Sequence, residues 1–152
     1  MAGITSALCT SFKVELLEGD HDFNNGADTF KVALLKANAS ITGTYGAATT
    51  NYSDVTGNSD ELPNGSGYTT GGYTLTNVNP TSGGTTAFTD FSANAQWTSA
   101  TFTTRGCIIY NSSDGNSAVA MINFGADYSV SGGTFEIQWP TADSSNAIIR
   151  IA

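Results

Sequence analysis

The sequence predicts a mainly β protein: a single antiparallel β-sandwich, jelly-roll-like, over residues 1–152, with a short N-terminal helix and a long polar arm or loop. Three observations carry that prediction. After residue 29 the apolar residues recur with a period of two, the repeat of a strand with one buried face. Seven or eight such runs are separated by turns rich in Gly, Ser and Asn, the pattern of sandwiches and Greek keys. The 152 residues match one domain in size and suffice for a hydrophobic core.

The helix is expected first, over residues 5–18. Ala7, Leu8, Phe12 and Leu16 recur at about four-residue spacing, which gathers them on one face. Thr5 or Ser6 would cap its start, and Gly19 stands where a left-handed terminal residue is needed. Phe12, Val14 and Leu16 also alternate, so a strand is the rival reading. Thr29–Leu35 is the first strand. Residues 37–71 form a polar stretch that carries Tyr45, Tyr52 and Tyr68. Loops this long inside a compact domain are usually functional, which makes it the candidate for an arm reaching a neighbour, with a helical turn near Tyr52–Val55.

Further strands are expected near 72–78, 85–91, 95–103, 106–111, 117–124, 133–139 and 146–151. Asn111–Asn116 is a turn cluster that makes 106–124 a hairpin. In the strand after Ser131-Gly132-Gly133, Phe135, Ile137 and Trp139 point one way and Glu136 and Gln138 the other, until Pro140 ends it. The apolar end, Ala147–Ile151, is expected to be tied into a sheet.

Charge narrows the partners. Charged residues are 12% of the chain and net charge is −8, against about 25% charged in an average soluble protein. The five cations, Lys13, Lys31, Lys36, Arg105 and Arg150, are scattered. Nucleic acid and anionic membrane surfaces are therefore rejected as partners. No stretch approaches the ~20 apolar residues of a membrane span. Met1–Phe12 lacks the basic and apolar regions of a signal peptide, so the protein is expected to be made and assembled in a cytoplasm. Cys9 and Cys107 lack metal-ligand spacing and are expected to be buried thiols rather than a disulfide.

Catalytic patterns are sparse, and an enzyme is not expected. His21, the single histidine, lies between Asp20 and Asp22; without other His or Cys nearby it reads as a turn residue bonding behind the helix. Residues 20–26 approach a calcium loop, but the glycine falls one place late and Lys31 occupies the position of the bidentate acid. The thirteen acids single out no pair for glycoside cleavage. Gly65–Gly72 lacks the third glycine and the lysine of phosphate loops and reads as a flexible entry into a strand. Four glycosylation sequons carry no meaning without secretion. Trp97 and Trp139 read as core aromatics before sugar platforms. No catalytic residue, cofactor or metal is assigned.

One resemblance remains. Phe12-Lys13-Val14-Glu15-Leu16-Leu17-Glu18-Gly19, His21-Asp22-Phe23, Asp28–Leu34, Gly67-Tyr68-x-x-Gly71-Gly72, Ala100-Thr101-Phe102, Arg105-Gly106, Ile109-Tyr110-Asn111, Asn123-Phe124-Gly125 and Gly133-Thr134-Phe135 follow one another in this order. That order resembles a family of small virion structural proteins of tailed bacteriophages, over about residues 12–139. The resemblance implies a non-catalytic capsid cement or decoration protein. It would bind the major capsid protein on the outer surface of the virion and associate with itself, a trimer being preferred. A tail, baseplate or fibre component contacting host glycans is the alternative. A cell-wall hydrolase would require acids converging with His21 in a deep cleft. The expected contact regions are the N-terminal helix and the 37–71 arm, with Phe12, Tyr45, Tyr52 and Tyr68 as candidate interface residues.

Overall fold

A computed structural model of the chain describes residues 2–152. Strands make up 46% and helices 12% of the chain, so the protein is mainly β, as predicted, and β-sandwich-like. In chain order the elements are β1 (Gly3–Ile4), β2 (Ala7–Leu8), α1 (Thr10–Glu18), β3 (Phe30–Lys36), a 3₁₀ turn (Asn38–Ser40), β4 (Thr44–Tyr45), α2 (Tyr52–Gly57), β5 (Tyr73–Thr74), β6 (Thr81–Gly83), β7 (Thr86–Thr89), β8 (Ala95–Asn111), β9 (Ser117–Ile137) and β10 (Ile149–Ile151).

The main sheet is antiparallel, in the order β2-β9-β8-β3-β5. β3, an interior strand between β8 and β5, is buried on both faces from Val32 to Leu35. A second antiparallel sheet, β10-β7-β6, ties the chain end in through Ile149 opposite Thr89. β1 and β4 form a short parallel pair. One cluster of buried side chains reaches all three sheets. Phe23 stacks on Phe30 with centroids 4.2 Å apart, and Phe30 reaches Phe91, next to the second sheet, at 6.2 Å.

The helix starts later than residue 5. Residues before Thr10 pair as β1 and β2 instead, because Ala7 and Leu8 complete the edge of β9 opposite Met121 and Ala120. Neither Thr5 nor Ser6 caps it: the N-cap is Cys9, without a side-chain bond. Gly19 does end it in the left-handed conformation, with φ 87°.

Two pairs of short predicted strands are each one long strand. Residues 95–111 run through as β8 and 117–137 as β9. The glycines between them mark irregular registers rather than chain reversals, with shifts at Thr104/Gly106 and Ala100/Thr101. A Cβ on Gly106 would lie 2.2 Å from the carbonyl oxygen of Ile122. Bulges re-aim a strand without ending it. The hairpin turn at 111–116 is present, with Tyr110 opposite Ala118.

The 37–71 stretch is not an arm. Ile41, Tyr45, Thr49, Val55, Asp60, Glu61, Leu62 and Tyr68 within it are buried. The whole chain exposes 7174 Å², close to the ~7,300 Å² of a compact protein of this mass. An extended arm would add area that is not there. The helical turn expected near Tyr52 is α2, begun by a capping box: the Asn51 side chain accepts from Ser53 N at 2.9 Å and Asp54 from Asn51 N at 3.2 Å.

Candidate functional site

A set of tyrosines and carboxylates with perturbed chemistry, turned into the protein, holds the 37–71 stretch down. Glu61 is 7% exposed. One carboxylate oxygen accepts from Tyr68 Oη at 2.7 Å and from Gly71 N at 2.7 Å; the other accepts from Tyr52 Oη. Tyr68 Oη in turn accepts from Leu34 N of β3 at 3.0 Å. Tyr110 stacks on Tyr52 at 4.3 Å and donates to Gly71 O at 2.7 Å. Burial first, then the Glu61 charge, raises the pKa of Tyr68, and burial raises that of Tyr110 to about 12. These phenols stay protonated and act as donors.

Asp60 makes a second such knot. It accepts from Tyr45 Oη at 2.6 Å, Gly43 N at 2.7 Å and Thr42 N at 3.0 Å. Burial alone would raise its pKa, but these donors outweigh it and hold the carboxyl below its ordinary 3.8. A carboxylate held low contributes stability that is present above its unfolded pKa and lost as pH falls through the folded one. Asp90 runs the other way: burial raises it, against Phe91 N and Ile148 N. The expected result is that Asp60→Asn lowers the melting temperature at neutral pH and flattens its decline below about pH 4. A pH–melting curve parallel to that of the unsubstituted protein would sink this account.

Phe12, Tyr45 and Tyr68 are therefore corrected as contact residues. Their exposures are 1%, 3% and 2%, and Tyr52 is only partly exposed, its hydroxyl spent on Glu61. Tyrosine in a polar stretch looked like surface, but the polar partners are buried carboxylates.

His21 lies behind α1, as the sequence suggested. Its Nδ1 accepts from the Asn111 amide at 3.0 Å, which leaves Nε2 to donate to Glu15 at 2.9 Å. Asn111 also donates to Asp28 at 2.8 Å. Asp22 spends an oxygen on Asn24 N at 2.9 Å. Among the described residues no three of His, Cys, Asp and Glu gather in a way that could hold a metal. Cys9 and Cys107 are free and buried; burial, then Glu15 and Asp54, pushes Cys9 up to about 11. Two of the 65–72 glycines are tight packing points rather than a flexible entry: a Cβ on Gly67 would meet Ala100 Cα at 2.7 Å, and one on Gly72 the Val32 carbonyl oxygen at 2.0 Å. Trp97 is a core residue at 5% exposure, while Trp139 is partly exposed and donates to Ala93 O.

What is left for partners is apolar surface, in two places. On the outer face of α1, Val14 is 51% and Leu17 90% exposed, three residues apart on one side of the helix. The opposite side buries Phe12 and turns Leu16 into an open notch lined also by Phe23, Phe88, Ile149 and Ile151. Lys13 and Glu18 are exposed at the rim. The second place is the outer part of β9, where Phe124, Tyr128, Phe135 and Ile137 line an open notch of about 270 Å³. Tyr128 is 51% exposed.

Sequence reasoning named the N-terminal helix but not Val14, Leu17, Tyr128 or Ile151. A signal was present for the first two. Phe12, Val14, Leu16 and Leu17 are too many apolar residues for one face of a nine-residue helix.

Fold and surface together define a mainly β, sandwich-like protein whose buried carboxylates, Asp60, Glu61 and Asp90, are spent on structure and whose apolar residues supply two outward faces. No family model matches the chain, and no curated protein or solved structure matches it at a significant level. No helix among the described residues is long and apolar enough to cross a membrane.

Proposed function

We propose that this chain is a structural virion protein that binds the outer surface of a phage capsid and cements or decorates its capsomers. The major capsid protein is the partner, and the outer face of α1 is the contact. The observation that carries the reading is Leu17: a large aliphatic side chain held 90% exposed on a helix packed to the core, with Val14 beside it. An apolar centre inside a charged rim is the composition of a protein contact. The motif order described above supplies the phage context. The low charge content suits close packing between subunits. Binding only the assembled lattice stabilises that lattice by mass action, and many copies multiply a weak contact.

The test is co-sedimentation with capsid shells lacking the protein. Saturable binding at hundreds of copies, with raised shell stability, is the expected result. Leu17→Asp should weaken binding by about ten-fold or more while leaving the melting temperature unchanged, because a side chain this exposed carries little stability. Absence of binding, or only a few copies per particle, would reject the cement role and favour the tail or baseplate alternative. Unimpaired binding by Leu17→Asp would reject α1 as the contact.

A further inference from the structure

We infer that Asn25 is a site of spontaneous covalent modification, where the backbone nitrogen of Gly26 closes on the side-chain amide and the residue ends as aspartate or isoaspartate. An asparagine is open to this ring closure when a small residue follows it, when the next N–H is unbound, and when the intervening peptide can turn. The first condition does not single out one residue. Asn25 and Asn64 precede glycine, and Asn58, Asn111 and Asn116 precede serine.

The other two conditions meet only at Asn25 among these five. Asn25 and Gly26 are the exposed central pair of a turn that Ala27 N closes onto Asn24 O at 3.0 Å. Gly26 has φ 86° and Asn25 a negative φ, which makes the turn type II. The bond of such a turn joins its outer residues and leaves the central peptide unheld. Among the described residues neither the Gly26 N–H nor the Asn25 side chain has a hydrogen-bond partner. No atom lies within 4 Å of where a Cβ on Gly26 would stand, and glycine accepts φ of either sign. The peptide can therefore swing its nitrogen onto Asn25 Cγ. Asn25 is held only from its other side, where its N–H donates to Asn79 Oδ1 at 2.7 Å.

At the other four the attacking nitrogen is engaged. Gly65 N donates to Tyr68 O at 2.8 Å, and Tyr68 is itself fixed by Glu61. Ser59 N donates to Thr56 O, Ser112 N to Thr29 O and Ser117 N to Asp114 O, each at 2.9 Å. Every one of them must give up a bond before it can attack.

The chemistry needs only water. A bond forms between Gly26 N and Asn25 Cγ, and the bond from Cγ to Nδ2 breaks. The side-chain nitrogen leaves as ammonia, carrying the proton that Gly26 N gave up. Water then opens the succinimide. Attack at the former side-chain carbonyl gives aspartate, and attack at the main-chain carbonyl gives isoaspartate, with the chain now running through the side chain. Either product adds a negative charge to a loop that already holds Asp20, Asp22 and Asp28. The change stays at the tip. Asp22 N donates to Asp28 Oδ2 at 2.9 Å and Asp28 N to Asp22 O at 3.3 Å, which closes the loop beneath it. The modified protein should therefore remain folded. None of this rests on the capsid reading.

The test is to hold the full chain in warm, mildly alkaline buffer and follow each asparagine by peptide mapping and mass spectrometry, with isoaspartate separated from aspartate by chromatography. Asn25 should convert about ten-fold or more faster than Asn64, the effect of the hydrogen bond that Gly65 must first break. In denaturant the two should convert at similar rates, because both precede glycine. Asn25→Gln, whose side chain is one carbon too long for the succinimide ring, should stop conversion in this loop and leave the melting temperature unchanged. Asn64 keeping pace with Asn25 in the folded protein would overturn the inference. So would the same gap between them in denaturant, since the fold would then not be its cause.

Discussion

Gly72→Ala should be among the most damaging single substitutions in this protein, costing about 4 kcal/mol or more. Two causes add. Gly72 has φ 77°, a conformation that costs a residue with a Cβ about 1–2 kcal/mol. In addition, a Cβ there would sit 2.0 Å from the carbonyl oxygen of Val32 and 2.7 Å from Ala33 Cα. Those atoms belong to β3, a buried interior strand of the main sheet, and are backbone, so nothing can rotate away. For a domain of this size each kcal/mol is worth about 2–4 °C, and the melting temperature should fall by on the order of 10 °C or more. Gly71 is the internal control. Its φ is 95°, but the nearest atom to a Cβ is Tyr110 Oη at 3.8 Å, ordinary contact. Gly71→Ala should therefore cost only the backbone part. Equal melting temperatures for the two variants would refute the steric account.

Glu61→Ala comes next, with an expected loss of about 3–5 kcal/mol. The substitution strands three donors at once: the hydroxyls of Tyr52 and Tyr68 and the N–H of Gly71. Each buried group left without a partner costs about 1–3 kcal/mol. The damage should propagate, because Tyr68 also accepts from Leu34 N in β3. Glu61→Gln keeps the volume and one acceptor oxygen but turns an amide donor towards hydroxyls that are themselves donating. Its loss should be smaller than that of Glu61→Ala. Hydrogen exchange should show loosening concentrated in residues 52–72 and at Leu34. Loosening spread evenly over the chain would mean that Glu61 does not anchor this stretch.

Much of the architecture was legible in local pattern. Phe30, Val32 and Leu34 alternate with less apolar neighbours, and a strand lies there. Asn111–Asn116 concentrates turn residues, and the chain reverses there. Gly19 closes the helix as a left-handed residue should. The errors share a cause. At Arg105-Gly106 and Ser131-Gly132 a glycine was read as an end, although the same backbone freedom also makes a bulge inside a continuing strand. Thr5–Leu8 was read as the first helical turn because its apolar spacing fits a helix. The free edge of β9 recruited those residues as a strand, which no local pattern announces. The 37–71 stretch looked solvated because it is polar. Its Tyr, Asp and Glu residues bond to one another inside the fold, and that pairing exists only once α2, β3 and the 65–72 turn have come together.

By itself, the sequence determined the class of the fold, the position of the hairpin, the acidity and the scarcity of cations. These follow from side-chain period, turn chemistry and formal charge, which are properties of the chain before it folds. Only the tertiary structure decided which tyrosines are buried, which carboxylates are satisfied, and which apolar residues remain outside. Burial is a property of pairs of elements distant in sequence: Glu61 is buried by the tyrosines that reach it, whereas Leu17 stays exposed because no element among the described residues covers that side of α1.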